Sequence, residues 1–241
     1  MKELYFIFDL DNTLYNQITP FKNAFEEVFP DVKVDIKSFF YASRVHSDLL
    51  QEQVLAGQLS MSELQVQRMA LAFKDYNIAV AEEKIKEFQN RYQYCQNHLI
   101  LSDTIKKMLI MIKDNCAGLG MITNGDYQHQ SKKIQDLKIN DYFDANTIII
   151  SGEINISKPD ARIFNALQKK MKINNVNTSN IYFIGDSYIN DVLGAKAVGW
   201  KTIWFKRNKD VENHQADFIV ENEMQLITLI KELILKNDNN L

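Results

Sequence analysis

Asp9 and Asp11 close the apolar run Tyr5-Phe6-Ile7-Phe8 and stand two residues apart, with the hydroxyl of Thr13 two further on. A short apolar run with a polar end reads as a buried parallel strand. In open α/β sheets, chemistry sits beyond the carboxyl ends of the strands. Two carboxylates there repel each other unless something positive holds them, and an oxygen-rich site suits Mg2+. The competing reading is a strand end carrying two solvated acids.

Three later segments have the same character. Thr123-Asn124-Gly125 follows Met121-Ile122, Lys158-Pro159 precedes a helical stretch, and Gly185-Asp186 follows Ile181–Ile184, with Asp191 five residues on. Each alone has an ordinary explanation: helix caps for Thr123 and Asn124, a surface cation for Lys158, turn and N-cap acids for Asp186 and Asp191. Taken together they put acids, a hydroxyl, an amide and one lysine along one edge of one sheet.

The elements that must position these groups follow from patterning. Residues 15–97 read as helices with almost no strand signal. Thr19-Pro20 has the form of an N-cap followed by proline. Asp35 opens a long helix that stops at Gly57, Ser60-Met61-Ser62-Glu63 has capping-box spacing, and a last helix spans about 81–97. From Ile100 the pattern alternates. Helices over 103–115, 127–137, 160–171, 191–198 and 223–236 are interleaved with apolar runs at 118–122, 147–150, 181–184, 201–205 and 216–220. Alternation of this kind implies βαβ units and a parallel sheet. The expectation is an α/β core of 1–14 and 98–241 interrupted by a helical domain of 15–97, with a disordered tail at 237–241. The apolar stripe Leu226, Ile227, Leu229, Ile230, Leu233 and Ile234 reads as core packing.

The four polar segments, in this order, resemble the motifs of the haloacid dehalogenase (HAD) superfamily of phosphotransferases: Asp9-x-Asp11-x-Thr13, Thr123-Asn124, Lys158-Pro159, and Gly185-Asp186 with Asp191. The resemblance implies a Rossmann-like parallel-sheet core with an inserted α-helical cap, as in subfamily I. It implies a Mg2+-dependent phosphatase in which Asp9 attacks phosphorus and Asp11 serves as general acid and base. Mg2+ would be held by Asp9, the backbone carbonyl of Asp11 and Asp186, with Asp191 acting through water. Thr123 and the amides near Asn124 and Gly125 would bind phosphoryl oxygens, and Lys158 would neutralise charge. A carboxylate whose pKa lies near 4 needs no base at neutral pH. The run Thr123-Asn124-Gly125-x4-Gln130, followed by Leu137–Asp144, resembles the pyrimidine 5′-nucleotidase branch, although Asp126 stands where that branch often has an aromatic. It implies nucleoside 5′-monophosphates as substrates. The cap offers Phe39, Tyr41, Arg44 and Tyr92 as groups able to stack or hydrogen-bond, but each aromatic reads first as core packing and Arg44 as solvated surface. Sugar phosphates or phosphoglycolate are the alternative. A dehalogenase would need no proton donor at Asp11, a mutase would need a second phosphate site, and a non-catalytic binding protein would not need every catalytic position filled.

Bulk properties bound the partners. The 241 residues carry a net charge of −3, with 46% hydrophobic and 24% charged residues, as in soluble globular proteins. No basic excess points to bulk nucleic acid, and Lys169-Lys170-Met171-Lys172 reads as a solvated helix face. Cys95 and Cys116 have no metal-like spacing and read as reduced thiols, and no apolar run reaches membrane-spanning length. A core strand that begins almost at the first residue leaves no room for a signal peptide. The expectation is a cytoplasmic enzyme, monomeric or homodimeric, acting on a small phosphomonoester.

Overall fold

The structure, a computed structural model, describes residues 4–206 and 214–239. Six parallel strands form one sheet: β1 Tyr5–Phe8, β2 Gly118–Thr123, β3 Ile148–Ile150, β4 Ile181–Gly185, β5 Lys201–Phe205 and β6 Phe218–Val220. Their order is β3-β2-β1-β4-β5-β6. This is the doubly wound order in which the chain reverses direction across the sheet beside β1. β1 is central because its side chains are buried on both faces: Phe6 and Phe8 point one way, Ile7 the other. Ile7 joins Ile122, Phe164, Leu167, Phe183 and Trp200 in the core on its face. On the other face Phe6 stacks on Tyr182 and Phe8 meets the edge of Phe143.

Register brings the polar strand ends level. Phe8 pairs with both Met121 and Ile184. Asp9, Asn124 and Asp186 therefore leave the sheet at the same carboxyl edge.

The chain divides into two compact units, Met1–Asn16 with Ile100–Leu241, and Gln17–Leu99. The second contains α1 Ile18–Val28, α2 Ile36–Leu55, α3 Met61–Asp75 and α4 Glu82–Gln96. Its core is an aromatic cluster in which Phe21, Phe25, Phe39, Phe73 and Phe88 are fully enclosed. Each such burial contributes about 1.5–3 kcal/mol, so these rings can hold four helices together without a strand. The caps at Asp35 and Ser60 form as their spacing requires. Asp35 accepts from the Ser38 amide at 2.8 Å, and Ser60 and Glu63 bond each other's backbone. α1 instead starts two residues before Pro20, after Gln17. Proline fits there because the first helical amides have no intrahelical acceptor to lose.

In the first unit, α5 Asp103–Asn115, α6 Tyr127–Asp136, α7 Ser151–Ile154, α8 Ala161–Lys170, α9 Gly194–Ala197 and α10 Glu223–Asn239 flank the sheet. Two expectations change. The helix expected at 191–198 begins as a π-helical turn, Tyr188–Leu193, before α9. α10 continues to Asn239, so 237–239 are helical and not a disordered tail. Asn240 and Leu241 lie outside the described residues. Leu226, Ile230, Leu233 and Ile234 are buried, which makes the stripe a core face. Among the described residues, no helix is long and apolar enough to cross a membrane.

Candidate active site

Asp9 follows β1, and its amide donates to the Ile184 carbonyl at 2.8 Å, which extends the pairing with β4 by one step. The side chain is thereby aimed from the carboxyl edge of the sheet. Thr13 Oγ1 reaches its carboxylate at 3.4 Å. Lys158, its side chain only 2% exposed, donates from Nζ to Asp9 Oδ1 and to Asp191 Oδ1, each at 2.7 Å. Asp191 is fixed by the π-helical turn: its other oxygen accepts from the Ser187 amide at 2.9 Å. Asp186 is anchored from behind, its carbonyl accepting from the indole of Trp204 at 2.9 Å. One carboxylate oxygen from each of Asp9, Asp186 and Asp191 lies within 4.8 Å of the others. Gly185 is obligatory beside them, because a Cβ there would fall 2.2 Å from Asp191 Oδ2.

The electrostatics show how unbalanced this cluster is. Burial pushes Asp9 up to about 7, Lys158 opposes the rise, and Asp191 adds to it. Burial works against the charge of Lys158, but Asp191 and Asp9 overcome it and hold the ammonium above its ordinary range. Asp9 and Asp191 thus share one lysine, with Asp186 clustered beside them, and burial raises Asp9 against the pull of that lysine. The set fits a hard divalent cation, which takes carboxylate oxygens and adds the missing positive charge.

Asp11 belongs to a second cluster. Lys133 Nζ bonds both its oxygens, at 2.7 and 2.9 Å, Gln130 Nε2 donates at 2.8 Å, and the Tyr15 hydroxyl also donates to it. Burial raises the Asp11 carboxyl, but Lys133, Tyr15 and Gln130 outweigh it and hold it below the usual carboxylate range. Gln130 also bonds Thr123 Oγ1 and the Asn124 carbonyl, so it links this cluster to the end of β2.

The Asn124 side chain and the Gly125 amide are engaged within the protein. The Asn124 side chain pairs with the backbone of Lys158, donating to its carbonyl at 3.0 Å and accepting from its amide at 2.9 Å. It positions the lysine. The Gly125 amide donates to Ser151 Oγ at 2.9 Å, so it is not open to a phosphoryl oxygen. Gly125 adopts φ +149 against Gln130, a conformation only glycine tolerates well. Asp126 caps α6, its carboxylate accepting from the His129 amide at 3.0 Å.

Lys133 and Tyr15 were absent from the candidates read from sequence, and Gln130 was read only as a substrate marker. Their signal was local. Gln130 and Lys133 lie three apart on one helix face, and Tyr15 is four residues from Asp11. Nothing in the spacing said that this face meets Asp11, more than a hundred residues earlier.

The haloacid dehalogenase-like hydrolase family model matches residues 6–205, and the chain belongs to that family. A glyceraldehyde 3-phosphate phosphatase of Pyrococcus abyssi is 38% identical over 104 residues, which are 43% of this chain and 42% of that protein. An N-acylneuraminate-9-phosphatase of Mus musculus is 26% identical over 95% of this chain and 94% of its own length. A pyrimidine 5′-nucleotidase of Escherichia coli is 34% identical over 40% of this chain and 41% of that protein. The chain thus spans less than half of the archaeal relative and of the nucleotidase. The solved structure of a HAD phosphatase from Thermococcus onnurineus shares the fold, with a TM-score of 0.58 and 24% identity over 94% of this chain and 97% of that one.

Proposed function

We propose that this chain is a Mg2+-dependent phosphomonoester hydrolase that works through an aspartyl-phosphate on Asp9. The observation that carries the reading is the charge balance at the end of β1: three clustered carboxylates, one buried lysine, and a separately held acid at Asp11. Asp9, Asp186 and Asp191 would hold the metal, which supplies charge neutralisation for the phosphoryl oxygens. Lys158 adds a fixed point charge. An Asp9 oxygen forms a bond to phosphorus as the ester P–O bond breaks, and Asp11 gives a proton to the departing oxygen. Asp11 then takes a proton from the water that cleaves the aspartyl-phosphate. Because Lys133 holds Asp11 ionised at rest, Asp11 must first take a proton from solvent water, as it parts from Lys133, and then pass that proton to the departing oxygen. A dehalogenase would have no use for this arrangement.

Small phosphorylated sugars and related acids are the substrates best supported, by a likeness that runs nearly the full length of the murine sugar-phosphate phosphatase. Nucleoside 5′-monophosphates are the second reading, favoured by the shorter likeness to the bacterial nucleotidase. The groups it could use are largely committed elsewhere. Phe39 and Tyr92 lie in the aromatic core of the helical unit, and Gln130 holds Asp11.

The test is phosphate release from a panel of nucleoside monophosphates, sugar phosphates, phosphoglycolate and glycerol phosphate, with Mg2+ and with EDTA. Activity should vanish in EDTA and return with Mg2+. Beryllofluoride should bind wild type and not Asp9→Asn. Full turnover in metal-free buffer, or by Asp9→Asn, would rule the mechanism out.

A further inference from the structure

Each carboxylate oxygen of Asp11 receives two donors. Lys133 Nζ reaches Oδ1 at 2.7 Å and Oδ2 at 2.9 Å, the Tyr15 hydroxyl adds to Oδ1, and Gln130 Nε2 adds to Oδ2 at 2.8 Å. The same Gln130 nitrogen also bonds Thr123 Oγ1 and the Asn124 carbonyl at the end of β2. All of these residues belong to the unit that contains the sheet. Gln130 and Lys133 lie one turn apart on α6, and that helix is a firm mount. Asp126 caps its start, and Gln130 and Ile134 bury its inner face.

Lys133 does not serve the helix itself. Its neighbour Lys132, 53% exposed, makes the ordinary pair one turn along, with Asp136 at 2.8 Å. Lys133 runs inward instead, with its side chain 15% exposed, to an acid 122 positions earlier in the chain. Lys158 already serves Asp9 and Asp191, so Lys133 is a second lysine committed to a different acid. An ammonium has three donors and no acceptor. It can bond both oxygens of a carboxylate but cannot accept from the O–H of a carboxylic acid. The contact therefore fits the form of Asp11 that takes a proton, not the form that gives one.

We propose that Lys133 is a positioning residue for the second half of the reaction, holding the Asp11 carboxylate where it takes a proton from the attacking water. The inference deepens the phosphatase reading and rests on it. In this step the water oxygen bonds to phosphorus. The bond from phosphorus to the Asp9 oxygen breaks, its electron pair returns to Asp9, and a water proton passes to Asp11. Lys133 touches none of the reacting atoms. The first half, in which Asp11 gives up a proton after parting from Lys133, does not depend on the contact.

Lys133→Met, Lys133→Arg and Lys132→Met test this in the full-length protein with Mg2+ and p-nitrophenyl phosphate. Lys133→Met should release a burst of one p-nitrophenolate per site and then turn over slowly, and acid quenching should trap phosphorylated Asp9. Its kcat should fall about tenfold or more, short of the ~10²–10⁴-fold of a lost general base, because Asp11 is displaced and not removed. KM should fall with kcat, leaving kcat/KM no lower than about a third of wild type, since that ratio reports only the steps up to phosphorylation. Arginine keeps a fork for both oxygens, so Lys133→Arg should restore most of kcat. Lys132→Met, on the solvent side of the same helix, should leave both constants unchanged. Rates are taken per burst site, which removes misfolded protein from the comparison. Lys133→Gln, which keeps one donor, should show the same burst if methionine prevents folding. A merely structural lysine would lower kcat and kcat/KM together, with no phosphorylated enzyme trapped. The inference is overturned by that pattern, or by a kcat in Lys133→Met at or above wild type. If wild type releases no phosphate from any ester, the phosphatase reading fails and this inference fails with it.

Discussion

Lys158→Met separates what the lysine does for the fold from what it does for chemistry. The ammonium is buried between Asp9 and Asp191 at 2.7 Å from each, with the Phe183 ring 5.2 Å away. Methionine fills similar volume but leaves two buried carboxylates facing each other. Breaking a buried ion pair by removing one partner costs about 3–5 kcal/mol. For a domain of this size each kcal/mol lowers Tm by roughly 2–4 °C, so the variant in EDTA should melt roughly 6–20 °C below wild type. The deficit should be smaller at pH 5 than at pH 8. Asp9, already lifted to about 7, can take a proton at the lower pH and shed its unpaired charge. Mg2+ should repair much of the loss. A ligand at a hundred times its Kd contributes about 2.7 kcal/mol, and in the variant the metal faces three acids with no lysine competing for two of them. Scanning calorimetry with EDTA and with Mg2+, at both pH values, reads all of this. Activity should fall at least ~10²-fold, the scale for losing one preorganised charge-stabilising donor. The reasoning is refuted if Lys158→Met melts within about 2 °C of wild type in EDTA, or if Mg2+ raises its Tm no more than that of wild type.

Other perturbations probe neighbouring parts. Asp11→Asn should lower turnover of alkyl phosphates by ~10²–10⁴-fold, with partial rescue of the phosphorylation step by p-nitrophenyl phosphate; equal losses on both esters in a single-turnover assay would remove Asp11 from proton transfer. Gly185→Ala should displace Asp191, because the added Cβ would lie 2.2 Å from its Oδ2. Calorimetry should then show Mg2+ affinity weakened about tenfold or more, about 1.4 kcal/mol, and unchanged affinity would place Asp191 outside the metal set. Asp217 is pushed up by burial, but Lys196, Thr202 and Lys201 outweigh this and hold it at about 2. A carboxyl lowered on folding stabilises the fold above its unfolded pKa and loses that contribution as pH falls through the folded one. Asp217→Asn should therefore cost ~1–2 kcal/mol at neutral pH, after allowance for screening of the exposed Lys201. Its gap to wild type should close between about pH 4 and pH 2, and a gap constant over that range in urea melts would contradict the assignment.

The sequence by itself determined what is local or periodic. Alternating apolar runs and helical stripes specify βαβ units, and a run as short and apolar as Tyr5–Phe8 has a stable place only in a sheet covered on both faces. The caps at Asp35 and Ser60 were legible because their hydrogen bonds close within three residues. Asp9, Asp11, Thr123, Lys158, Asp186 and Asp191 could be picked out because each lies at or near a strand or helix end, and parallel strands bring such ends to one edge. Tertiary structure alone decided how those residues divide. Asp9 and Asp191 meet Lys158 with Asp186 clustered beside them, while Asp11 turns to Lys133, Gln130 and Tyr15. Asn124 supports Lys158, and Gly125 spends its amide on Ser151. These are choices between partners of similar chemistry, separated by a few ångströms and by up to 149 residues of chain. A side chain's charge and reach are written in its type, but which of two lysines it meets depends on strand register and helix rotation, and those are set by packing of the whole core.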